Sequence, residues 1–225
     1  TLIPKYADWA IELFKDPVVI AFTDKSRYTN EITAQNWYKI LLKPEITYGY
    51  ANPALAPIGY HTLIVWQLAD AYYNEKIKDK KISELLEAKC PQDYIRPDVP
   101  ELIPLIESMS LDYLFIYRST AQQHNLKFIE LPDEINLGND KFSENYKKAS
   151  VTITDAKGKS ETRYGKPVIF AFTILKDAPN KETALKFAGL LLSKTGRQIF
   201  KQNFQPLMEP VAAINGENLP AELKQ

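Results

Sequence analysis

The sequence has few of the residues that build common reactive sites. Its 225 residues include one cysteine, two histidines and eight glycines. A single cysteine, Cys90, excludes a disulfide within the chain and a metal site built from several cysteines. Neither a G-x-x-x-x-G-K nor a G-x-G-x-x-G pattern occurs, which excludes the common phosphate-binding and dinucleotide-binding motifs. An enzyme is therefore the less favoured class of protein, and we expect no cofactor.

The chain also lacks net charge, because lysine plus arginine and aspartate plus glutamate both number 28. This balance gives no electrostatic reason to expect binding to nucleic acid or to an anionic membrane surface. We therefore expect no nucleic-acid partner, and any bound anion must be held by local dipoles. Residues 46–69 contain no charged side chain, but Pro53, Pro57 and Gly59 interrupt the run, so it is not predicted to span a membrane.

Apolar runs alternate with helical patterns along the chain, which predicts an α/β fold. β-Branched and aromatic residues are concentrated at 17–23 (PVVIAFT), 46–52 (ITYGYAN), 111–117 (LDYLFIY) and 167–175 (PVIFAFTIL), and each is a predicted strand. The longest helical pattern runs from residue 61 to about residue 76. Further strands are predicted at 93–95 and 126–132, a hairpin at 150–165 with its turn at 155–158, and helices near 34–42, at 82–89, from 98 and from 179.

Three predicted loops share one arrangement, in which a strand ends, a short loop follows and a helix begins. They are residues 52–60, 96–99 and 117–119. The first N–H groups of a helix have no partner within the helix and lie at the positive end of its dipole, so such a junction can bind an anion without charged side chains. In the first loop Pro57 restricts the backbone, and Gly59 permits its close approach to a ligand. Taken alone the pattern is weak, because most such junctions bind nothing.

Three longer segments carry a family resemblance. GYANPALAPIGY, DYLFIYRSTAQQHNLKFIELPDEINLG and GKPVIFAFTILKDAPNKETALKFAGLLLSKTGRQIF together resemble the periplasmic molybdate/tungstate-binding proteins of ABC importers, the ModA/WtpA family. Residues 1–5 match a segment well inside the first lobe of that family. The resemblance therefore implies that the first strand–helix units, two hydroxyl-bearing loops and a signal peptide are missing from this sequence.

The resemblance implies a two-lobed, type II periplasmic-binding-protein fold, with mixed sheets flanked by helices, that closes on an oxyanion. The similar strands at 17–23 and 167–175 are then the expected crossovers that form the hinge. We assign residues 1–22 and 168–225 to lobe I, which is incomplete, and residues 23–167 to lobe II.

The resemblance also implies a set of ligand-binding groups. Carried over position by position, these are the backbone N–H groups of Ile58 and Val99 and the hydroxyl of Tyr117. Archaeal-type tungstate-binding members carry carboxylates that ligate the metal where this chain has Ala56 and Ile116. We therefore expect molybdate or tungstate to be held only by hydrogen bonds, with no side chain on the metal.

Other residues near the first loop are candidate pocket-lining residues, namely Asn52, Gly59 and His61. A turn role is favoured for Asn52, and packing at the helix start is favoured for His61 over sensing of ligand charge. The expected setting is the periplasm or the outer face of the cell membrane, with a lipid anchor left open, as a monomer that docks on an ABC permease. The alternatives are a binder of sulfate or another oxyanion, the effector-sensing domain of a transcription regulator with this fold, and an enzyme.

Overall fold

The computed structural model describes residues 2–75, 77, 79–154 and 157–224, and it has a mixed α/β fold, as predicted. The strands are β1 (Ala10–Lys15), β2 (Val18–Phe22), β3 (Tyr48–Ala51), β4 (Ile95–Arg96), β5 (Tyr113–Tyr117), β6 (Lys127–Glu130), β7 (Ser150–Thr154), β8 (Ser160–Tyr164), β9 (Ile169–Phe172) and β10 (Ala212–Ile214). The helices are α1 (Trp37–Leu41), α2 (Pro57–Tyr73), α3 (Ile82–Lys89), α4 (Ile103–Glu107), α5 (Arg118–Gln123), α6 (Ser143–Tyr146), α7 (Lys181–Leu192) and α8 (Lys194–Gln202).

The chain divides into two compact units. One is Pro17–Val168, and the other combines Thr1–Asp16 with Ile169–Gln225. The division expected from the sequence, with residues 1–22 in lobe I, puts β2 in the second of these. In the structure β2 is hydrogen-bonded on both sides to strands of the larger unit, β5 and β6. The chain therefore enters the larger unit before β2.

The larger unit is built on a mixed sheet with the strand order β4-β3-β5-β2-β6. β3 runs parallel to both β4 and β5, whereas β2 runs antiparallel to β5 and β6. Every residue of β2 is buried, which fits its uninterrupted apolar sequence. The β7–β8 pair forms a separate antiparallel hairpin, as predicted; residues 155 and 156 of its predicted turn lie outside the described residues.

Aromatic side chains fill the space between this sheet and its helices. The rings of Trp37 and Trp66 both meet Phe115 edge-on, with centroid distances of 5.8 and 5.4 Å. Such edge-to-face contacts add to the burial of large apolar surfaces. At the start of β5, the buried Asp112 carboxylate accepts two hydrogen bonds from the Arg27 guanidinium, at 2.9 and 2.6 Å. The aromatic contacts hold β5 against α1 and α2 within one core.

The parallel arrangement of β3, β4 and β5 decides where the three predicted loops lie. The carboxyl ends of parallel neighbours meet at the same edge of a sheet, and ligands of α/β proteins bind at that edge. The Asn52 N–H donates to the Arg96 carbonyl at 2.7 Å, which joins the ends of β3 and β4. Continuing the register that pairs Tyr48 with Tyr113 places Tyr117 level with Asn52. The loops after these three strands therefore share one edge of the sheet.

Several predicted helix boundaries were wrong. α2 begins at Pro57 rather than at residue 61, because the fixed backbone angle of proline suits the first helical position. It ends at Tyr73, where Asn74 adopts the left-handed conformation at φ 47°. The predicted helix from residue 98 is a three-residue 3-10 helix, Val99–Glu101, followed by α4.

The smaller unit has an antiparallel sheet with the order β10-β1-β9. Its core joins β1 to α7 and α8 through Phe14, Leu192 and Phe200. The segment from residue 179 forms two helices because Ser193 interrupts it and accepts a hydrogen bond from the Gly196 N–H at 3.2 Å. The apolar patterns of the sequence predict neither β1 nor β10.

Candidate functional site

The first turn of α2 presents a buried backbone donor at the shared sheet edge. Ile58 occupies the second helical position and is 3% exposed. Across the part of the chain that the structure describes, no hydrogen bond uses the Ile58 N–H. The first turn contains no acidic residue, and Ala56 at the N-cap offers no side-chain acceptor. Buried N–H groups are almost always paired, so an unpaired one is a candidate donor to a ligand. At a helix start, the ligand that such an amide favours is an anion.

Gly59 is explained by packing of α2 against the end of β3. A Cβ atom at Gly59 would lie 2.2 Å from the Ala51 carbonyl oxygen and 2.7 Å from the Asn52 carbonyl carbon. No residue with a side chain fits this contact without a shift of the backbone. The glycine therefore permits the close approach of the helix to the strand, rather than the approach of a ligand expected from the sequence.

Asn52 shapes the loop between β3 and α2. Its Oδ1 accepts a hydrogen bond from the Ala54 N–H at 2.9 Å, and its carbonyl accepts from the N–H groups of Leu55 and Ala56 at 3.0 and 2.9 Å. These are the contacts of a turn residue, the role favoured from sequence. The turn brings the chain directly into α2 and so sets the position of its first amides.

Tyr117 and His61 meet at the same end of α2. Tyr117 is the half-buried last residue of β5, and its hydroxyl lies 2.8 Å from His61 Nδ1. His61 follows Ile58 by three positions and therefore lies on the same side of the helix. It is 5% exposed, and among the described residues its Nε2 has no hydrogen-bond partner.

The His61 imidazole is neutral at physiological pH. Burial, together with a smaller effect of the positive charge of Lys166, lowers its pKa from the ordinary 6.5 to about 3. The rings of Tyr60 and Tyr117 pack edge-on against it, with centroids 4.4 and 6.0 Å away. The favoured packing role of His61 is therefore present, and it is accompanied by a polar contact that the sequence did not predict.

The amide of Val99 is already engaged. The Asp98 carboxylate accepts a hydrogen bond from the Val99 N–H at 2.7 Å and caps the short 3-10 helix. This carboxylate also places a negative charge beside the amide. An anion can use the Val99 N–H only after the Asp98 side chain rotates away.

Ala56 and Ile116 contribute no metal ligand. Ala56 is the buried N-cap residue of α2, and Ile116 is fully buried in β5. Among the described residues, no group of three or more histidine, cysteine, aspartate or glutamate side chains could hold a metal ion. Next to the site, Arg118 forms an ion pair with Glu130, with Nη1 and Oε1 3.3 Å apart.

Comparison with known proteins identifies the family. Residues 3–204 match the model of the bacterial extracellular solute-binding proteins. A solute-binding protein of Petrotoga mobilis is 39% identical over 224 residues, covering 99% of this chain and 68% of the relative. The molybdate/tungstate-binding protein WtpA of Pyrococcus abyssi is also 39% identical, over 240 residues, with the same shares covered. The chain thus spans about two thirds of the length of these relatives.

A solved structure supports the fold. The substrate-binding domain assigned to a molybdenum ABC transporter of Clostridium difficile superposes with a TM-score of 0.50 at 18% identity, covering 88% of this chain and 67% of that domain. No helix that the structure describes is both long and apolar enough to cross a membrane. The matched family consists of transporter components that bind solutes outside the cytoplasm, not of enzymes. The chain belongs to the bacterial extracellular solute-binding protein family.

Proposed function

We propose that this protein captures a tetrahedral oxyanion, molybdate or tungstate, for an ABC importer. The observation that carries the proposal is the buried Ile58 N–H at the start of a 17-residue helix, which has no acceptor among the described residues. The names of relatives from Pyrococcus abyssi and Thermococcus kodakarensis, both molybdate/tungstate-binding proteins, support the choice of anion.

Ile58 and Tyr117 are the primary donors in this proposal. The Ile58 amide offers one N–H with the helix dipole behind it, and the Tyr117 hydroxyl enters from the end of the neighbouring strand. The Val99 N–H joins them only when an anion displaces the Asp98 carboxylate. Asn52 and Gly59 shape the loop and are pocket-lining candidates through their backbone.

The anion is bound without metal–protein bonds in this proposal. The methyl group of Ala56 and the apolar side chain of Ile116 occupy positions from which carboxylates would otherwise ligate the metal. A site made of donors alone favours a fully deprotonated oxyanion, because a protonated oxygen such as that of phosphate finds no acceptor. Discrimination against the smaller sulfate then depends on the size of the cavity.

We further infer the setting in which the site works. The chain passes between its two units at residues 16–17 and 168–169, and we infer a hinge at these positions. The protein then docks on a membrane permease as a monomer, with or without a lipid anchor.

Calorimetric titration tests the proposal. The purified protein is titrated with molybdate, tungstate, sulfate and phosphate at one pH and one ionic strength. We expect molybdate or tungstate to bind more tightly than sulfate by about tenfold or more, a difference of about 1.4 kcal/mol. Phosphate binding as tight as molybdate binding would refute a site made only of donors, and no binding of any of the four anions would refute the proposed ligand class.

A further inference from the structure

We propose that His61 is a positioning residue for the oxyanion: its Nδ1–H donates to the Tyr117 oxygen and thereby directs the Tyr117 proton to the anion. The inference rests on the proposed function and adds a specific role within the same site. It starts from the 2.8 Å contact between His61 Nδ1 and the Tyr117 hydroxyl, in which either atom can be the donor.

The direction of this hydrogen bond depends on the tautomer of His61. A neutral imidazole carries one N–H, on either Nδ1 or Nε2. With the proton on Nε2, the bare Nδ1 accepts the Tyr117 proton, and the tyrosine then turns only lone pairs toward the site. An oxyanion would be repelled by those lone pairs.

The other tautomer gives the opposite result. With the proton on Nδ1, His61 donates to the Tyr117 oxygen, and the hydroxyl proton is no longer committed to the ring. It can then donate to an anion oxygen. The two hydrogen bonds run in the same direction, from Nδ1–H to the hydroxyl and from the hydroxyl to the anion, and bonds arranged in this way strengthen each other.

The surroundings of Nε2 favour the tautomer with the proton on Nδ1. Nε2 is buried, and it has no hydrogen-bond partner among the described residues. A proton placed there would leave a buried N–H without an acceptor, and buried donors without partners are rarer in proteins than buried acceptors without partners. The lack of a partner for Nε2 among the described residues therefore favours the tautomer with the proton on Nδ1, which is the one that an anion site requires.

Nitrogen NMR of histidine-labelled protein decides the question. The chain contains only two histidines, so a His124→Gln variant assigns the His61 ring signals by subtraction. One-bond and two-bond proton–nitrogen correlations then show which ring nitrogen carries the proton, before and after saturation with molybdate. We expect the proton on Nδ1 in the molybdate complex.

Two substitutions give an independent readout. His61→Leu removes the donor, and we expect the Kd for molybdate to rise by about tenfold or more. His61→Asn keeps an amide donor near the position of Nδ1, and we expect it to restore the Kd to within about threefold of the wild-type value. If His61 had only a structural role, the asparagine variant would bind molybdate no more tightly than the leucine variant, provided that both fold.

The outcomes separate this inference from the proposed function. Molybdate binding with the His61 proton on Nε2 would overturn the inference and leave the proposed function standing. If the wild-type protein binds no molybdate, the proposed function fails and the inference falls with it. If His61→Leu does not fold, the NMR measurement on the wild-type ring still gives the answer.

Discussion

Replacing Tyr117 by phenylalanine is the most informative single change at the site. The substitution removes one oxygen atom and leaves the aromatic ring against His61, where the ring centroids are 6.0 Å apart. The position of Tyr117 at the end of β5 does not change, because the strand is held by its pairing with β2 and β3. The hydroxyl can therefore be tested apart from the packing.

The size of the expected effect follows from two hydrogen bonds of the Tyr117 hydroxyl, the one to His61 and the proposed one to the anion. A hydrogen bond to a charged group contributes about 1.5–3 kcal/mol, so the Kd for molybdate should rise by about 10-fold to 150-fold. The free protein should also become less stable. Loss of the hydroxyl removes the partner of His61 Nδ1, and an additional unsatisfied buried polar atom costs about 1–3 kcal/mol.

Calorimetry and urea unfolding measure these two effects separately. Tyr60→Phe is the matched control, because the Tyr60 ring also contacts His61, at 4.4 Å, while its hydroxyl makes no hydrogen bond to the imidazole. We expect the control to change the Kd by less than about twofold, since no donor to the anion is lost.

Two results would refute the reasoning. If Tyr117→Phe loses stability as expected but binds molybdate normally, the tyrosine contacts the histidine and not the anion. If the two tyrosine variants weaken binding equally, the effect comes from the aromatic environment rather than from the hydroxyl donor.

Three other predictions follow from the same end of the sheet, from the glycines and from the buried histidine. Asp98→Ala should lower the Kd for molybdate several-fold in calorimetry, because it frees the neighbouring amide and removes a negative charge, whereas Glu101→Ala should change the Kd by less than about twofold. Equal Kd values for the two variants would exclude that amide from the site. Gly59→Ala should lower the free energy of unfolding in urea by about 1–3 kcal/mol through overpacking, while Gly189→Ala, where a Cβ meets nothing within 4 Å, should raise it by about 0.5–1 kcal/mol. Effects of the same sign would contradict the packing role of the first glycine. The pKa of His61 is lower in the folded state than in the unfolded state. As the pH falls from 6.5 toward 3, the unfolded chain therefore binds a proton that the folded chain does not, and the free energy of unfolding decreases. The free energy of unfolding should be about 2 kcal/mol lower at pH 5 than at pH 7. If a His61→Asn variant shows the same difference between the two pH values in urea unfolding, the histidine is not responsible.

Local patterns predicted the elements whose residues are buried on both faces. The runs that became β2 and β5 are continuous and apolar, and a continuous apolar run between turn signals is typical of a central strand. β1 and β10 gave no such signal. β1 contains two charged residues, Glu12 and Lys15, among its six. β10 has only three residues, all exposed, and its strand conformation comes from pairing with β1, far away in the chain.

The sequence by itself determined the α/β class, the charge-free loop before α2 and the absence of carboxylates at positions 56 and 116. Each is a property of neighbouring residues, so periodicity and residue type are sufficient to predict it. The tertiary structure alone decided which donors are available. It pairs the Val99 amide with Asp98 and brings His61 to the Tyr117 hydroxyl across 56 positions of sequence. Within the described part of the chain, it leaves the Ile58 amide without an acceptor. The physical reason is that hydrogen-bond partners are decided by distances in space. Strand pairing brings together residues that are far apart in the sequence, and no local pattern predicts which ones.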